Sequence, residues 1–573
     1  MIRLRGARAL TASLAAGMLA AAGSGAASAM PVGESGSTVG QAVAVGSAPG
    51  LGAGLPSGGH PGSPGASPRS VVAQGAGATP QAVSIPAACS AQGLGGGDWP
   101  AYGHDAFNTR SQPAENLIGP GRAGTLRPRW VFGTGDGGEI NSTPVVAGGC
   151  VFVTTSAGNV FAVDATTGRQ VWRTGFTPST PGLGGALVGG AAIDGNRVVV
   201  LVNETGDGAA SGPYAVALDA GSGSLVWRSA PLSTASGYYT NATPQVFGGV
   251  VFAGFSPAEG DSSGQGGFAL LDAVTGAILT TTPTISPADQ AQGFAGGGIW
   301  STPAYDAASG FAYVGAGNPY SKTEQDQRTN AILKVDVTRT RSTFGQIVGF
   351  YHGNVDQYND VLTILQQTPV CALSVSSGLP FPLDDPACGQ LDLDFGASPN
   401  LFHGLGGRLM VGDLQKAGVY HVADAGSMAP VWKTIVGAGC ASCNAASTAV
   451  SGRSIFGEGV PGGTAFSLGI YSGARKWLTP IGDGVHYQSV STADGVVYTL
   501  DGDGFLDVLS AVNGAVIMRR PMALDAGAPI FGLTSGGIAI AYHTVFVGAS
   551  EGGSGPLENG FLIAYQPGAP ALP

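Results

Sequence analysis

Trp300 and Asn318 are the side chains whose setting most directly suggests chemistry. Both lie in residues 296–320, GGGIWSTPAYDAASGFAYVGAGNPY, where a glycine run opens into Trp300 and Gly315-Ala316-Gly317-Asn318-Pro319 closes the stretch. The pattern predicts two short β-strands around a turn, so an aromatic plate and an amide oxygen are each presented from glycine-rich backbone. Those are the groups that a flat redox cofactor and a hard cation require. The bland alternatives are a core aromatic and a turn amide before proline.

Other candidate chemistry is weaker. Gly548-Ala549-Ser550-Glu551-Gly552 fits G-x-S-x-G, but with glycine this frequent a chance match is expected, and no helical pattern follows Ser550 to form a nucleophile elbow. Asp501-Gly502-Asp503-Gly504 lacks the later acidic positions of a calcium loop and reads as a turn between strands. The seven histidines show no metal-ligand spacing; His352 and His403 flank a long insertion.

The elements that would position Trp300 and Asn318 come from a repeat. Its clearest copy, residues 143–174, places strands over Cys150 to Thr155 and Val160 to Asp164 around the turn Ser156-Ala157-Gly158-Asn159, then Thr167-Gly168 and a third strand carrying Trp172. Further copies centre on Asp219 with Trp227, Asp272 with Gly276, Asp336, Asp424 with Trp432, Leu468 with Gly473 and Trp477, Ser510 with Gly514, and a truncated copy ending at Tyr565. Eight anchors imply four-stranded blades in a ring, an all-β, eight-bladed β-propeller. Trp172, Trp227, Trp432 and Trp477 are expected to pack between neighbouring blades. Residues 126–133, LRPRWVFG, read as a lone strand that completes the blade begun by the C-terminal segment and so removes both sheet edges. The longest insertion, about 354–395, is placed to cover an axial site.

Charged residues are only 11% of the chain and glycine reaches 98 of 573, which favours turn-rich β structure. The net charge of -11, without a Lys/Arg run after the start, excludes the electrostatic footprint of nucleic-acid binding. Arg3, Arg5 and Arg8, the apolar run Ala9 to Gly23 and Ala27-Ser28-Ala29 read as a signal peptide over residues 1–29. Residues 30–88, rich in Gly, Ala, Ser and Pro, read as a disordered linker, and 89–573 as the propeller. No later stretch is long enough to cross a bilayer, so export to the periplasm or the extracellular space is expected.

Six cysteines suit an oxidising compartment. Cys371 and Cys388 bracket a Pro-rich loop and could pair. Cys440-Ala441-Ser442-Cys443 could be a local disulfide, a redox pair or half of a metal site, which leaves Cys89 with Cys150 to tie the N-terminal tail to the first blade. No C-x-x-C-H occurs, so no c-type haem is attached to this chain.

The repeat A-x-D-x-x-T-G-x-x-x-W resembles the blade signature of the pyrroloquinoline quinone (PQQ) quinoprotein alcohol dehydrogenase-like propellers. Residues 98–113, DWPAYGHDAFNTRSQP, resemble their opening segment, and Trp300-Ser301-Thr302-Pro303-Ala304-Tyr305-Asp306 with Gly317-Asn318-Pro319 resembles their cofactor-floor and calcium region. Residues 394–402, DFGASPNLF, and 415–420, QKAGVY, resemble the polyvinyl alcohol dehydrogenase-like branch. The resemblance implies Trp300 stacked on PQQ, Arg110 and Lys416 among the cofactor-binding residues, and Asn318, Glu204 and Asp356 as ligands of Ca²⁺. It also implies Asp356 as catalytic base, with Lys416 beside the quinone oxygens. The family's glutamate ligand has no clean match, Glu204 being nearest, and the adjacent cysteine pair of well-studied alcohol-oxidising members is absent. The implied function is an exported PQQ- and Ca²⁺-dependent dehydrogenase that oxidises a secondary alcohol, polyol or polymeric alcohol. Its electrons would pass to a separate acceptor such as a cytochrome or quinone. The alternative is a propeller that keeps the repeats as an extracellular binding or scaffold module.

Overall fold

The computed structural model describes residue 89 and residues 95–569, apart from 177–186, 188, 204–212, 236, 259–260, 321–324, 354–392, 438–443, 460–462, 483–487, 531–535 and 552–558. The leader and linker expected over 1–88, Glu204, Asp356, Cys371, Cys388, Cys440 and Cys443 lie outside the described residues.

Each anchor of the repeat is the third strand of a blade of four antiparallel strands, the seventh gaining a parallel fifth, Ser111–Gln112, on its inner strand. In the first blade the strands are Val145–Ala147, Cys150–Thr154, Asn159–Asp164 and Gln170–Gly175, hydrogen-bonded in that order from inner to outer. The pattern recurs to give eight blades. The fourth blade is Ala304–Asp306, Phe311–Gly315, Ala331–Asp336 and Ile347–His352; the fifth is Asn400–His403, Leu409–Gln415, Val419–Asp424 and Pro430–Ile435. Leu126–Gly133 is the outer strand of the eighth blade, paired antiparallel with Gly560–Pro567, so the ring closes on a sheet built from both ends of the described chain. That closure pairs what would otherwise be two open edges.

The repeat works as a lock between blades. Its Asp caps the turn after the third strand: Asp164 accepts the amides of Thr166 and Thr167 and the Thr167 hydroxyl. The turn then needs a left-handed residue, Gly168 at φ +70°, and a Cβ there would lie 2.6 Å from the Trp130 ring of the adjoining blade. Trp130 donates its indole N–H to the Ala165 carbonyl of the same turn. Trp172 repeats this on Ala220 and Gly223, Trp227 on Ala273 and Gly276, Trp432 on Ile470 and Gly473, and Trp477 on Ala511 and Gly514. The tryptophans are therefore joints between blades, as the spacing implies, with each polar tip satisfied and all but the half-buried Trp432 in the core.

Residues 97–112 run across the inner strands and tie the blades together. Trp99 pairs with Val146, and the carbonyls of Pro100, Ala106, Phe107, Thr109 and Arg110 accept the amides of Ile193, Tyr305, Leu401, Val450 and Thr492. Cys89, ahead of this segment in the chain, forms a disulfide with Cys150 of the first blade.

Asp501 to Gly504 is the turn expected there: the Gly504 amide bonds to the Asp501 carbonyl between strands Val496–Leu500 and Phe505–Ser510. Ser550 ends a buried strand and bonds to the Ile140 backbone.

Candidate functional site

In an antiparallel blade, the start of the inner strand and the end of the second strand lie at the same end of the sheet. Trp300 leads into the inner strand of the fourth blade and Asn318 follows its second strand. Asp394 and Lys416 hold the same two places in the fifth blade. Four residues spread over more than a hundred positions thus reach one face.

Their contacts join them. Lys416 Nζ lies 2.8 Å from Asp394 Oδ1 and 5.0 Å from the centroid of the Trp300 ring. Trp300 donates its indole N–H to Asp394 Oδ2 at 3.2 Å. The Lys416 amide donates to the Asp394 carbonyl at 3.0 Å, and Asn444 Nδ2 donates to the Lys416 carbonyl at 3.2 Å, so the lysine is held at both ends of its main chain. Trp300 is half-buried, whereas the Lys416 and Asp394 side chains are only 8% and 2% exposed. A buried pair of this kind is strong while both members are present and leaves a costly charge when one is removed.

Glycines make room for the plate. At Gly396 a Cβ would stand 2.4 Å from the Trp300 ring, so a side chain there would force the indole to shift. Gly317 donates its amide to Gly298 at 2.7 Å and lies near the Asp394 carboxylate, where a Cβ would be 3.5 Å from Oδ2. The Asn318 carbonyl accepts the Gly297 amide at 2.9 Å, which pins the buried asparagine beside the glycine run that carries Trp300.

A second carboxyl, Asp413, is buried near the pair. Burial raises its pKa well above the usual carboxylate range, and the charge of Asp394 raises it further, against the Leu414 amide that Asp413 accepts at 2.9 Å. Asp413 is therefore pushed towards its protonated form, and Asp394 is the carboxylate that faces Lys416.

The sequence singles out Trp300, Asn318 and Lys416, and the fold brings them to one region. Asp394 is the residue that sequence reasoning missed. It heads the stretch DFGASPNLF that marks the resemblance, but nothing in its spacing reveals a partner 94 positions away. Arg110 lies in the segment that crosses the inner strands, fully buried. Its guanidinium donates to Val490 O at 2.7 Å, Ser491 Oγ at 3.1 Å and Thr143 Oγ1 at 3.2 Å, and also to the Tyr102 carbonyl. Burial lowers its pKa to about 10, which still leaves it charged near neutrality. Among the described residues no group of three or more His, Cys, Asp or Glu side chains is arranged to hold a metal ion.

Comparison with known proteins agrees with the architecture. A family profile described as "Outer membrane protein assembly factor BamB" matches residues 122–379, which covers the early repeats and stops before Asp394 and Lys416. A polyvinylalcohol dehydrogenase from Pseudomonas sp is 27% identical over 258 residues, 42% of this chain and 38% of that protein. The quinohemoprotein alcohol dehydrogenase ADH IIB of Pseudomonas putida is 28% identical over 259 residues, 40% of this chain and 36% of that protein. The matched part is thus well under half the length of either relative. Among solved structures, the quinohemoprotein alcohol dehydrogenase from Comamonas testosteroni superposes with a TM-score of 0.61 at 16% identity, covering 83% of this chain and 81% of that one. A europium-containing methanol dehydrogenase gives 0.60 at 15% identity, covering 82% and 98%. These superpositions establish the fold. The eight-bladed ring, the repeat and these matches make the chain similar to the quinoprotein alcohol dehydrogenase-like propellers, polyvinyl alcohol dehydrogenases among them.

Proposed function

We propose that this protein is an exported, PQQ- and Ca²⁺-dependent dehydrogenase that oxidises an alcohol and hands the electrons to a separate acceptor. The observation that carries the reading is the Asp394–Lys416 pair set beside a half-buried tryptophan. The residues present fit a flat anionic quinone: Trp300 offers a plate, Gly396 keeps it flat by the absence of a Cβ, and Lys416 supplies the cation. Asn318 offers an amide oxygen to Ca²⁺, and Glu204 and Asp356 stand as further ligands by resemblance.

When bound, PQQ supplies the hydride acceptor and Ca²⁺ the Lewis acid that polarises it. Asp394 accepts the hydroxyl proton of the substrate at its carboxylate, the role that resemblance alone gives to Asp356. Lys416 holds that carboxylate ionised and stabilises negative charge growing on oxygen beside it. Trp300 orients the ring through its face while its N–H fixes Asp394. Secondary alcohols, polyols and polymeric alcohols are the substrate classes, and a cytochrome or quinone the acceptor.

The test is alcohol-dependent reduction of an artificial electron acceptor by the purified protein given PQQ and Ca²⁺. Turnover with one of these classes that Asp394→Asn abolishes supports the reading. The family profile match favours a second reading, a binding or assembly module; no turnover and no PQQ binding would select it.

A further inference from the structure

His421 carries nothing in the account so far, yet it is a buried imidazole that meets the chain neighbours of both halves of the ion pair. It lies on the strand Val419–Asp424, 1% exposed, in cross-strand register with Asp413. Both ring nitrogens are engaged. Nε2 is 2.9 Å from Gln415 Oε1, and Nδ1 is 2.9 Å from the Tyr351 hydroxyl. An amide oxygen can only accept, so Nε2 carries the proton and Nδ1 accepts from Tyr351. Burial lowers the pKa of His421 to about 3, so the ring is neutral and this tautomer is the working one.

The partners give the ring its meaning. Gln415 precedes Lys416 and opens the turn that presents it: the Gly418 amide donates to the Gln415 carbonyl at 2.9 Å, and Gly418 sits at φ +74°. Phe395 follows Asp394 and meets the imidazole edge to face, with centroids 5.4 Å apart at 68°. Tyr351 belongs to the fourth blade, the blade that carries Trp300. One imidazole therefore touches the chain neighbour of the base, the chain neighbour of the cation, and the blade that carries the plate.

We infer that His421 is a positioning residue that sets Lys416 and Asp394 in register with Trp300 through Gln415, Phe395 and Tyr351. The inference rests on the function proposed above for its kinetic consequences, but not for its geometry. An apolar ring at this place would fill the space and leave Gln415 and Tyr351 without their partner. A glutamine carries both a donor for Gln415 and an acceptor for Tyr351.

The experiment compares His421→Phe, His421→Gln and Tyr351→Phe with the wild type. Trp300 emission is isolated by difference against Trp300→Phe and probed by acrylamide quenching without cofactor; kcat and KM are measured with PQQ, Ca²⁺ and an alcohol. His421→Phe should change the Trp300 signal and lower kcat by about tenfold with KM within about twofold, as loss of a supporting hydrogen-bond partner does. His421→Gln should restore most of both. The inference is overturned if His421→Phe folds with Trp300 emission and kcat as in the wild type, or if the Phe and Gln variants are equally impaired. Should His421→Phe not fold, Tyr351→Phe decides: it must shift Trp300 emission and lower kcat, and an unchanged protein overturns the inference. Should the wild type oxidise no alcohol, the functional reading fails, and the Trp300 signal alone decides the role of His421.

Discussion

Lys416 and Asp394 form a buried ion pair, 2.8 Å between Nζ and Oδ1, across the loops that frame the inner two strands of the fifth blade. The pair faces Trp300 from the fourth blade, so it joins two blades beside the plate to which the proposed function assigns the quinone. Its removal has two separable effects. Lys416→Ala should lower kcat by about 10² to 10³, the usual effect of deleting one preorganised donor. It should also cost about 3–5 kcal/mol of stability, because Asp394 stays buried without its partner. Denaturant unfolding beside steady-state kinetics checks both, and Lys416→Met with Asp394→Asn together should recover stability but not turnover.

Gly396 should tolerate no side chain. Alanine there would bring a Cβ to 2.4 Å from the Trp300 ring, and the plate must tilt to escape. PQQ affinity should weaken about tenfold, equivalent to roughly 1.4 kcal/mol. Gly121→Ala, where nothing lies within 4 Å, is the control that should leave a binding titration unchanged.

The blade tryptophans should act on stability alone. Trp172→Ala removes a buried ring and its bond to Ala220 and opens space over Gly223, at a cost of about 3–5 kcal/mol. Cofactor affinity measured well below the unfolding transition should stay that of the wild type.

Stability should fall as pH rises towards 8. Burial, together with the neighbouring Asp501 and Asp503, pushes the Asp507 carboxyl up to about 8 against the opposing charge of Arg519. Its folded pKa lies above the unfolded one, so between about pH 4 and 8 the folded state holds a proton that the unfolded chain has lost, and deprotonation then favours unfolding. Thermal melts of Asp507→Asn should lack that loss and show a higher Tm than the wild type at pH 8.

Much of the fold is legible because its information is local and repeated. Asp164, Gly168 and Trp172 each do a job within a few positions of one another or on the next copy, so the spacing alone gives the blades and the use of each tryptophan. Leu126–Gly133 is legible as an outer strand because a closed ring leaves no other place for it. The site is less so. Trp300 and Lys416 stand out by their settings, but Asp394 gains its role from residues far away in sequence, and Asp413, just as buried, differs from it in the partners it meets. His421 shows nothing in sequence, since its neutrality comes from burial and its tautomer from Tyr351 and Gln415. Charge marks Arg110, but not that the ends of several blades enclose it.

The most direct test of the central claim is a tryptophan-fluorescence titration of the purified protein with PQQ, with and without Ca²⁺, beside Trp300→Phe and Asn318→Ala. The account predicts saturable quenching that requires Ca²⁺, weakens in Asn318→Ala and loses its Trp300 component in Trp300→Phe. Absence of saturable quenching with Ca²⁺ present, from a protein that melts cooperatively, would contradict it and leave the family relationship as one of fold.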